Sequence, residues 1–125
     1  MKEIIATAKA PAAIGPYSQA VVANGTVYVS GQLAFIPETG KLLEGTVGEM
    51  TTQSLKNIQA ILAAAGCTMA DVVKTTIFLS DMNDFAEVNA AYAVFFPENP
   101  PARACVQVAR LPRDAKVEIE AIAAR

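Results

Sequence analysis

The dipeptide Asn24-Gly25 joins two runs of β-favouring residues, and it constrains the fold more than any other short feature of this sequence. Both positions of the tight turn between antiparallel strands need a positive φ, which asparagine and glycine adopt most readily. Residues 17–30 are therefore predicted to form a strand, a two-residue turn and a second strand. Residues 37–40 predict another turn, and a surface loop then leads to Thr46.

Two segments have the apolar periodicity of helices. Thr46 and Glu49 have the spacing of an N-terminal capping box, apolar residues then recur close to every 3.6 positions, and Gly66 is expected to end this first helix. Asp84 and Glu87 repeat the capping pattern, which predicts a second helix that the next proline stops.

Four further stretches favour strands. Residues 72–80, 103–109 and 116–123 are rich in β-branched and other apolar residues, and residues 3–6 predict a short additional strand. After that short strand the order is β-β-α-β-α-β-β. This order predicts a single α+β domain over residues 1–125, with one mixed sheet and two helices on one face.

The composition bears on what covers the other face of the sheet. Hydrophobic residues make up 53% of the 125 residues and charged residues 18%, which is a large apolar share for a domain with so much surface relative to its volume. No run has the length of a membrane span, and the N-terminal residues lack the pattern of a secretory signal. We therefore expect a cytoplasmic protein whose sheet face contacts further copies of the chain.

Charge and residue types exclude several functions. The net charge is −2 and the basic residues are scattered, which disfavours binding to nucleic acid. The chain has no histidine, and Cys67 and Cys105 lie far apart, so neither a metal site nor a disulfide framework is expected. Any catalysis must use arginine, carboxylates, tyrosine, lysine, cysteine, the backbone or water.

Arg103 begins a strand whose other residues are mostly small and apolar. Because side chains alternate along a strand, Arg103 and Cys105 share one face, whereas Ala104 and Val106 share the other. The sequence assigns this second pair to the core.

The last strand carries Glu118 and Glu120 on one face. If it neighbours the strand of Arg103, a carboxylate comes close to the guanidinium, and two interpretations stay open. One is a cross-strand ion pair with Cys105 as a small buried side chain. The other is a pocket in which Arg103 binds a planar carboxylate and a glutamate acts as acid, base or water-positioning group. Cys105 as a nucleophile is the weakest option, since only Arg103 would lower its pKa.

Two glycine-containing motifs, residues 15–19 (GPYSQ) and 30–32 (SGQ), also have two interpretations. They are turns at strand ends, or they are places where a ligand approaches the backbone closely.

Together these segments resemble the Rid family, also called YjgF/YER057c/UK114, and within it the RidA-type enamine/imine deaminases. The resemblance covers essentially the whole chain. The motifs that carry it are residues 12–19 (AAIGPYSQ), 30–32 (SGQ), 73–76 (VKTT), 84–85 (DF), 88–89 (VN), 101–103 (PAR) and 118–121 (EIEA).

The resemblance implies a chorismate-mutase-like fold, assembled as a homotrimer with a barrel-like core and with active sites between subunits. It implies hydrolysis of 2-imino acids such as 2-iminobutanoate and 2-iminopropanoate, which pyridoxal-phosphate enzymes release, to 2-keto acids and ammonia. No metal or organic cofactor is implied. The alternative is a non-catalytic trimer that binds a 2-keto acid or amino acid, and ribonuclease activity, attributed to some family members, is disfavoured by the acidic charge.

The resemblance also implies roles for single residues. Arg103 would clamp the substrate carboxylate, and Glu118 would hold the attacking water, with Glu120 as the alternative carboxylate for that role. Cys105 would line the site beside the reacting carbon. The remaining predicted binding residues are Tyr17, Ser30, Gly31 through its backbone N–H, and Asn89.

Overall fold

The computed structural model describes all 125 residues, which form eight strands and two α-helices. The strands are β1 (Glu3–Ile5), β2 (Ala20–Ala23), β3 (Thr26–Gln32), β4 (Phe35–Ile36), β5 (Lys41–Leu42), β6 (Val72–Leu79), β7 (Ala102–Gln107) and β8 (Val117–Ala124). The helices are α1 (Val47–Ala64) and α2 (Phe85–Phe95). Neither helix is long and apolar enough to cross a membrane.

Six of the strands form one mixed sheet in the order β1-β2-β3-β8-β6-β7. β6 and β7 are parallel, and every other neighbouring pair is antiparallel. The core lies between the sheet and the two helices, where Leu55 and Ile58 of α1 pack with Ile77 and Ile119 of the sheet, all at most 1% exposed. The predicted α+β architecture, one mixed sheet with two helices on one face, is confirmed.

Three local predictions are confirmed by the backbone. Asn24 and Gly25 have φ values of 50° and 74°, as the turn between β2 and β3 requires. Thr46 and Glu49 form both hydrogen bonds of a capping box at the start of α1. Gly66, with φ 80°, follows the end of α1 in the left-handed conformation that glycine adopts at no steric cost.

The predicted capping box of α2 is wrong. Asp84 precedes α2, but its side chain makes no capping hydrogen bond. Glu87 instead accepts a hydrogen bond of 2.8 Å from the backbone N–H of Gly48 in the first turn of α1. A carboxylate is favourable there because the first N–H groups of a helix lack partners within it. Glu87 therefore joins the two helices rather than capping its own.

The short hairpin of β4 and β5 was not predicted. The sequence indicated only the turn at residues 37–40, because strands of two residues are too short to show a period. This hairpin carries Phe35, which matters for the site described below.

The sheet face opposite the helices, here called the open face, carries Ile4, Tyr28, Phe78, Val106, Glu118 and Glu120. Several of its apolar side chains are exposed, among them Tyr28 at 49% and Val106 at 42%. The assignment of Ala104 and Val106 to the core is therefore wrong. Alternation along β7 was correctly predicted, but periodicity does not tell which side of a sheet the helices cover.

Candidate active site

The residues predicted to form the site lie in two separate groups. Asn89, Arg103 and Cys105 lie where α2 covers the edge strand β7. Tyr17, Ser30, Gly31 and Glu118 line a cavity beside β3 and β8. We call these the arginine group and the glutamate group.

In the arginine group, the Arg103 guanidinium is held by three side chains of α2. Its Nη1 atom donates a hydrogen bond of 2.6 Å to Oδ1 of Asn89. Its central carbon lies 4.9 Å from the ring centroid of Tyr92 and 5.6 Å from that of Phe85. Cation–π contacts and one charge-assisted hydrogen bond orient a guanidinium while leaving most of its N–H groups available to a ligand.

Tyr92 is itself held in place by a buried hydrogen bond. Its hydroxyl lies 2.7 Å from Oγ1 of Thr75, and the two residues are only 5% and 1% exposed. Burial raises the pKa of Tyr92, so it remains a neutral phenol. From the sequence, Tyr92 has no predicted role and Phe85 belongs only to the motif of residues 84–85, because nothing in their spacing distinguishes a platform for a cation from ordinary core.

The variant Tyr92→Phe tests this support. We expect it to lower the free energy of unfolding by about 1–3 kcal/mol, because the Thr75 hydroxyl loses its partner while it stays buried. The double variant Tyr92→Phe with Thr75→Val removes both polar groups and should recover part of that loss. Urea denaturation measures both values, and a double variant less stable than either single one would contradict this account.

Cys105 is half-buried beside Arg103 and packs against the core. Burial raises the pKa of the Cys105 thiol, and the nearby Arg103 opposes that effect only in part. A neutral thiol is a poor nucleophile. The environment of Cys105 therefore favours a place in the wall of the site over covalent catalysis.

In the glutamate group, Glu118 lies against a β-bulge of the neighbouring strand. The register of β3 against β8 shifts between Val29 and Gln32, so that Ser30 and Gly31 leave the regular ladder. A Cβ atom at Gly31 would lie only 3.0 Å from both Cδ and Oε2 of Glu118. The absence of a side chain at Gly31 thus makes the space that the carboxylate occupies.

The cavity next to Glu118 has a volume of about 740 Å³. One wall comes from residues 11–17, which Gln19 anchors by donating to the carbonyl of Pro11 at 2.7 Å and accepting from the N–H of Thr7 at 2.7 Å. Ser30 donates to the carbonyl of Ser18 at 2.6 Å, which holds this wall to the bulge. Residues of the segments 33–40 and 112–113 also line the cavity. Their contribution was not predicted, because no sequence pattern connects these segments to Glu118.

Glu118 and Glu120 lie on the same face of β8, two residues apart. Burial raises the pKa of Glu118, and the negative charge of Glu120 raises it further. The carboxyl group therefore exchanges its proton closer to neutral pH than an exposed glutamate does.

The variant Glu120→Gln should change the pH dependence of any reaction that needs ionised Glu118. Activity is expected to rise with pH as Glu118 loses its proton, and removing the charge of Glu120 lowers the pKa of Glu118. The acidic limb should therefore move to lower pH in the variant, as measured by kcat/KM from pH 4 to pH 8. A limb at the same or higher pH would contradict the coupling, and Glu98→Gln, at an exposed position, is the matched control.

The two groups cannot face one ligand within a single chain. β6 lies between β7 and β8, so the expectation that the strands of Arg103 and Glu118 are neighbours is wrong. Register places Arg103 beside buried Thr75 on the helix-covered face and Glu118 beside Phe78 on the open face. A site that contains both groups requires a second subunit.

Fold and site residues define a small α+β protein with an arginine oriented by three side chains of α2 and a glutamate whose pKa is raised by burial. The sequence pattern of the family described as endoribonuclease L-PSP matches residues 7–125. The chain belongs to this family, which is the Rid (YjgF) family that the motifs resemble.

Similarity to individual proteins extends over nearly the whole chain. Human 2-iminobutanoate/2-iminopropanoate deaminase is 53% identical over 98% of this chain and 90% of its own length. The crystal structure of the E. coli YjgF gene product is 51% identical, with a TM-score of 0.94 over 98% of both chains. The structure of E. coli TdcF with bound serine is 48% identical, with a TM-score of 0.94 over 98% of both chains. The YjgF-like fold predicted from the motifs is confirmed.

Proposed function

We propose that this protein is a hydrolytic deaminase that converts reactive 2-imino acids to 2-keto acids and ammonia, with 2-iminobutanoate and 2-iminopropanoate as its simplest substrates. The observation that carries the proposal is the pair of groups described above, an oriented guanidinium and a half-buried carboxyl with a raised pKa, in a chain 53% identical to the human deaminase of that name.

The active site lies, in this proposal, between subunits of a homotrimer. The arginine group of one subunit faces the cavity of the glutamate group of the next. This arrangement is supported by the separation of the two groups within one chain and by the exposed apolar side chains of the open face, which a neighbouring copy would cover.

Imine hydrolysis requires the protein only to orient the substrate and a water molecule and to assist one proton transfer. Arg103 binds the substrate carboxylate, and the backbone N–H of Gly31 donates to the same end of the substrate. Glu118 holds a water molecule and accepts its proton as the water oxygen bonds to the imine carbon. The C=N π bond breaks, its electrons go to the nitrogen, and Glu118 passes the proton on to that nitrogen. The hydroxyl proton then moves to the amine as the C–N bond breaks, so that ammonia leaves and the keto group forms. An imine hydrolyses unaided, so orientation and one assisted proton transfer, worth roughly 10²–10⁴-fold, are sufficient.

The remaining predicted residues shape the pocket. Cys105 lies beside the reacting carbon, Asn89 holds Arg103, and Tyr17 and Ser30 line the same cavity as Glu118. No metal or organic cofactor takes part in this proposal. A cytoplasmic location is also part of it, and the two free thiols of the chain agree with a reducing compartment.

The direct test generates 2-iminobutanoate in place and measures its loss with and without the protein. We expect acceleration beyond the spontaneous rate, with 2-ketobutyrate and ammonia formed in equal amounts. A rate equal to the spontaneous one would overturn the proposal. Analytical ultracentrifugation of the same sample measures the assembly, for which a trimer mass is expected.

A second candidate is binding without turnover, and the TdcF structure with bound serine favours keeping it. The same pocket would then hold an amino acid or 2-keto acid as a regulatory ligand. Calorimetry that detects 2-ketobutyrate binding, lost in Arg103→Ala, together with imine loss at the spontaneous rate, would identify this function.

The family description also names an endoribonuclease. The net charge of −2 disfavours this activity, because RNA binding depends on cationic contacts to phosphates. We expect RNA to stay intact when it is incubated with the purified protein, provided that the preparation has been freed of contaminating nucleases.

A further inference from the structure

Arg113 is the one cationic side chain among the 15 residues that line the cavity next to Glu118. Its guanidinium carbon lies 5.5 Å from the ring centroid of Phe35, in the short hairpin at the same cavity. It forms no ion pair, although Glu118 and Glu120 line the cavity as well. Its charge is therefore free to bind a ligand.

The backbone holds Arg113 in an unfavourable conformation. Arg113 and Asp114 have φ values of 62° and 54°, in the left-handed region that residues with a Cβ atom seldom adopt. Two features keep the turn in place. Arg110 binds the Asp114 carboxylate through two nitrogens, and Leu111 and Ala115 on either side are only 6% and 4% exposed. The backbone position of Arg113 is thus set before a ligand binds.

The cavity is larger than a four-carbon imino acid needs. Sites of about 300–1,000 Å³ enclose ligands several times that size, and this one has about 740 Å³. Arg113 and Glu118 line the same cavity, so a substrate whose imine carbon lies at Glu118 can extend a longer side chain toward Arg113.

We propose that Arg113 determines substrate specificity by binding the second carboxylate of dicarboxylic 2-imino acids. This inference rests on the proposed function. The five-carbon example is 2-iminoglutarate: the water oxygen bonds to C2, the C–N bond breaks, and the products are 2-oxoglutarate and ammonia. The second carboxylate stays unchanged, and no oxidant or reductant is involved.

The test compares two substrates of equal length, 2-iminoglutarate and 2-iminopentanoate, made in place by amino-acid oxidases from glutamate and norvaline. In the wild type, kcat/KM is expected to be about tenfold higher for 2-iminoglutarate, the effect of a partly exposed charged hydrogen bond. In Arg113→Gln the ratio of kcat/KM for 2-iminoglutarate to kcat/KM for 2-iminopentanoate should fall to about one. Lys116→Gln removes an exposed charge outside the cavity and should keep the wild-type preference.

Binding of the products gives an independent measurement. By calorimetry, 2-oxoglutarate should bind more tightly than 2-oxopentanoate to the wild type, and Arg113→Gln should bind them about equally. Arg113→Asn is a second variant, because asparagine adopts the left-handed conformation readily. If either variant keeps the preference for the second carboxylate, or if the wild type has none, the inference is wrong.

The two proposals fail in different ways. Turnover of 2-iminopentanoate without any preference for 2-iminoglutarate would overturn the role of Arg113 alone. Turnover of neither imine, together with loss of 2-iminobutanoate at the spontaneous rate, would overturn the deaminase proposal. The calorimetric comparison would then decide whether Arg113 recognises the second carboxylate of a bound ligand.

Discussion

Replacing Arg103 by alanine is expected to reduce kcat/KM for 2-iminobutanoate by about 10²–10⁴-fold. Hydrogen bonds to charged groups contribute about 1.5–3 kcal/mol each, and a guanidinium makes two parallel bonds to a carboxylate. Arg103→Lys keeps the positive charge but loses the planar guanidinium that binds a carboxylate through two parallel hydrogen bonds. It should therefore recover only part of the activity. Measured rates near the wild-type value in Arg103→Ala would exclude this residue as the carboxylate clamp.

The loss in Arg103→Ala should come from substrate binding and not from unfolding. Arg103 is half-buried at the sheet edge, and its one hydrogen-bond partner within the chain, Asn89, is exposed and can bind water instead. Lys56→Ala removes a cation from an exposed position of α1 and is the matched control, expected to keep full activity. The circular dichroism spectrum and the mass in solution should be the same for the wild type, Arg103→Ala and Lys56→Ala.

Replacing Glu118 by glutamine is expected to reduce kcat by roughly 10²–10⁴-fold, the usual contribution of a general base. Binding of 2-ketobutyrate should persist, because the carboxylate clamp is intact. Burial and Glu120 raise the pKa of Glu118, which means that the folded protein disfavours the ionised form of this carboxyl group. Glu118→Gln should therefore be at least as stable as the wild type at pH 7, as measured by urea denaturation.

Lower kcat together with retained ligand binding and retained stability in Glu118→Gln would distinguish a catalytic role of Glu118 from a structural one. A residue needed for folding would lose stability and activity together when replaced. Lower stability with a proportional loss of activity in Glu118→Gln would contradict the role proposed for this carboxylate.

A mixture of the two inactive proteins tests whether each site uses two subunits. Arg103→Ala and Glu118→Gln chains are unfolded together and refolded at equal amounts, which gives mixed trimers if the chain assembles as we propose. About a quarter of the interfaces then pair an intact arginine group with an intact glutamate group. Activity restored to about that fraction is expected, whereas sites within single chains would stay inactive in any mixture.

Local signals predicted most of the elements because their causes are local. Asn24 and Gly25 adopt the turn that their own backbones prefer, and Thr46 and Glu49 bond to each other over three residues. The order of strands has no local cause. β8 lies between β3 and β6 because its alternating apolar residues complete the core under both helices, and that depends on the whole chain.

The candidate site shows the same limit. Motifs identified Arg103 and Glu118, but alternation could not tell that they lie on opposite faces of the sheet. Arg113 and Phe35 were missed because they are 78 residues apart and meet only when the short hairpin approaches the turn before β8. Contacts of this kind belong to tertiary structure, and no periodicity reports them.

The central position of β8 has a consequence for the order in which the molecule can be made. This strand follows all the others along the chain, yet it alone joins β1–β3 to β6 and β7. Until β8 is made, any sheet formed by β1–β3 and any sheet formed by β6 and β7 has an inner edge without a partner strand, and such edges invite aggregation. Glu118 arrives on the same strand, so the step that closes the sheet also supplies the glutamate, and no incomplete chain exposes a working site.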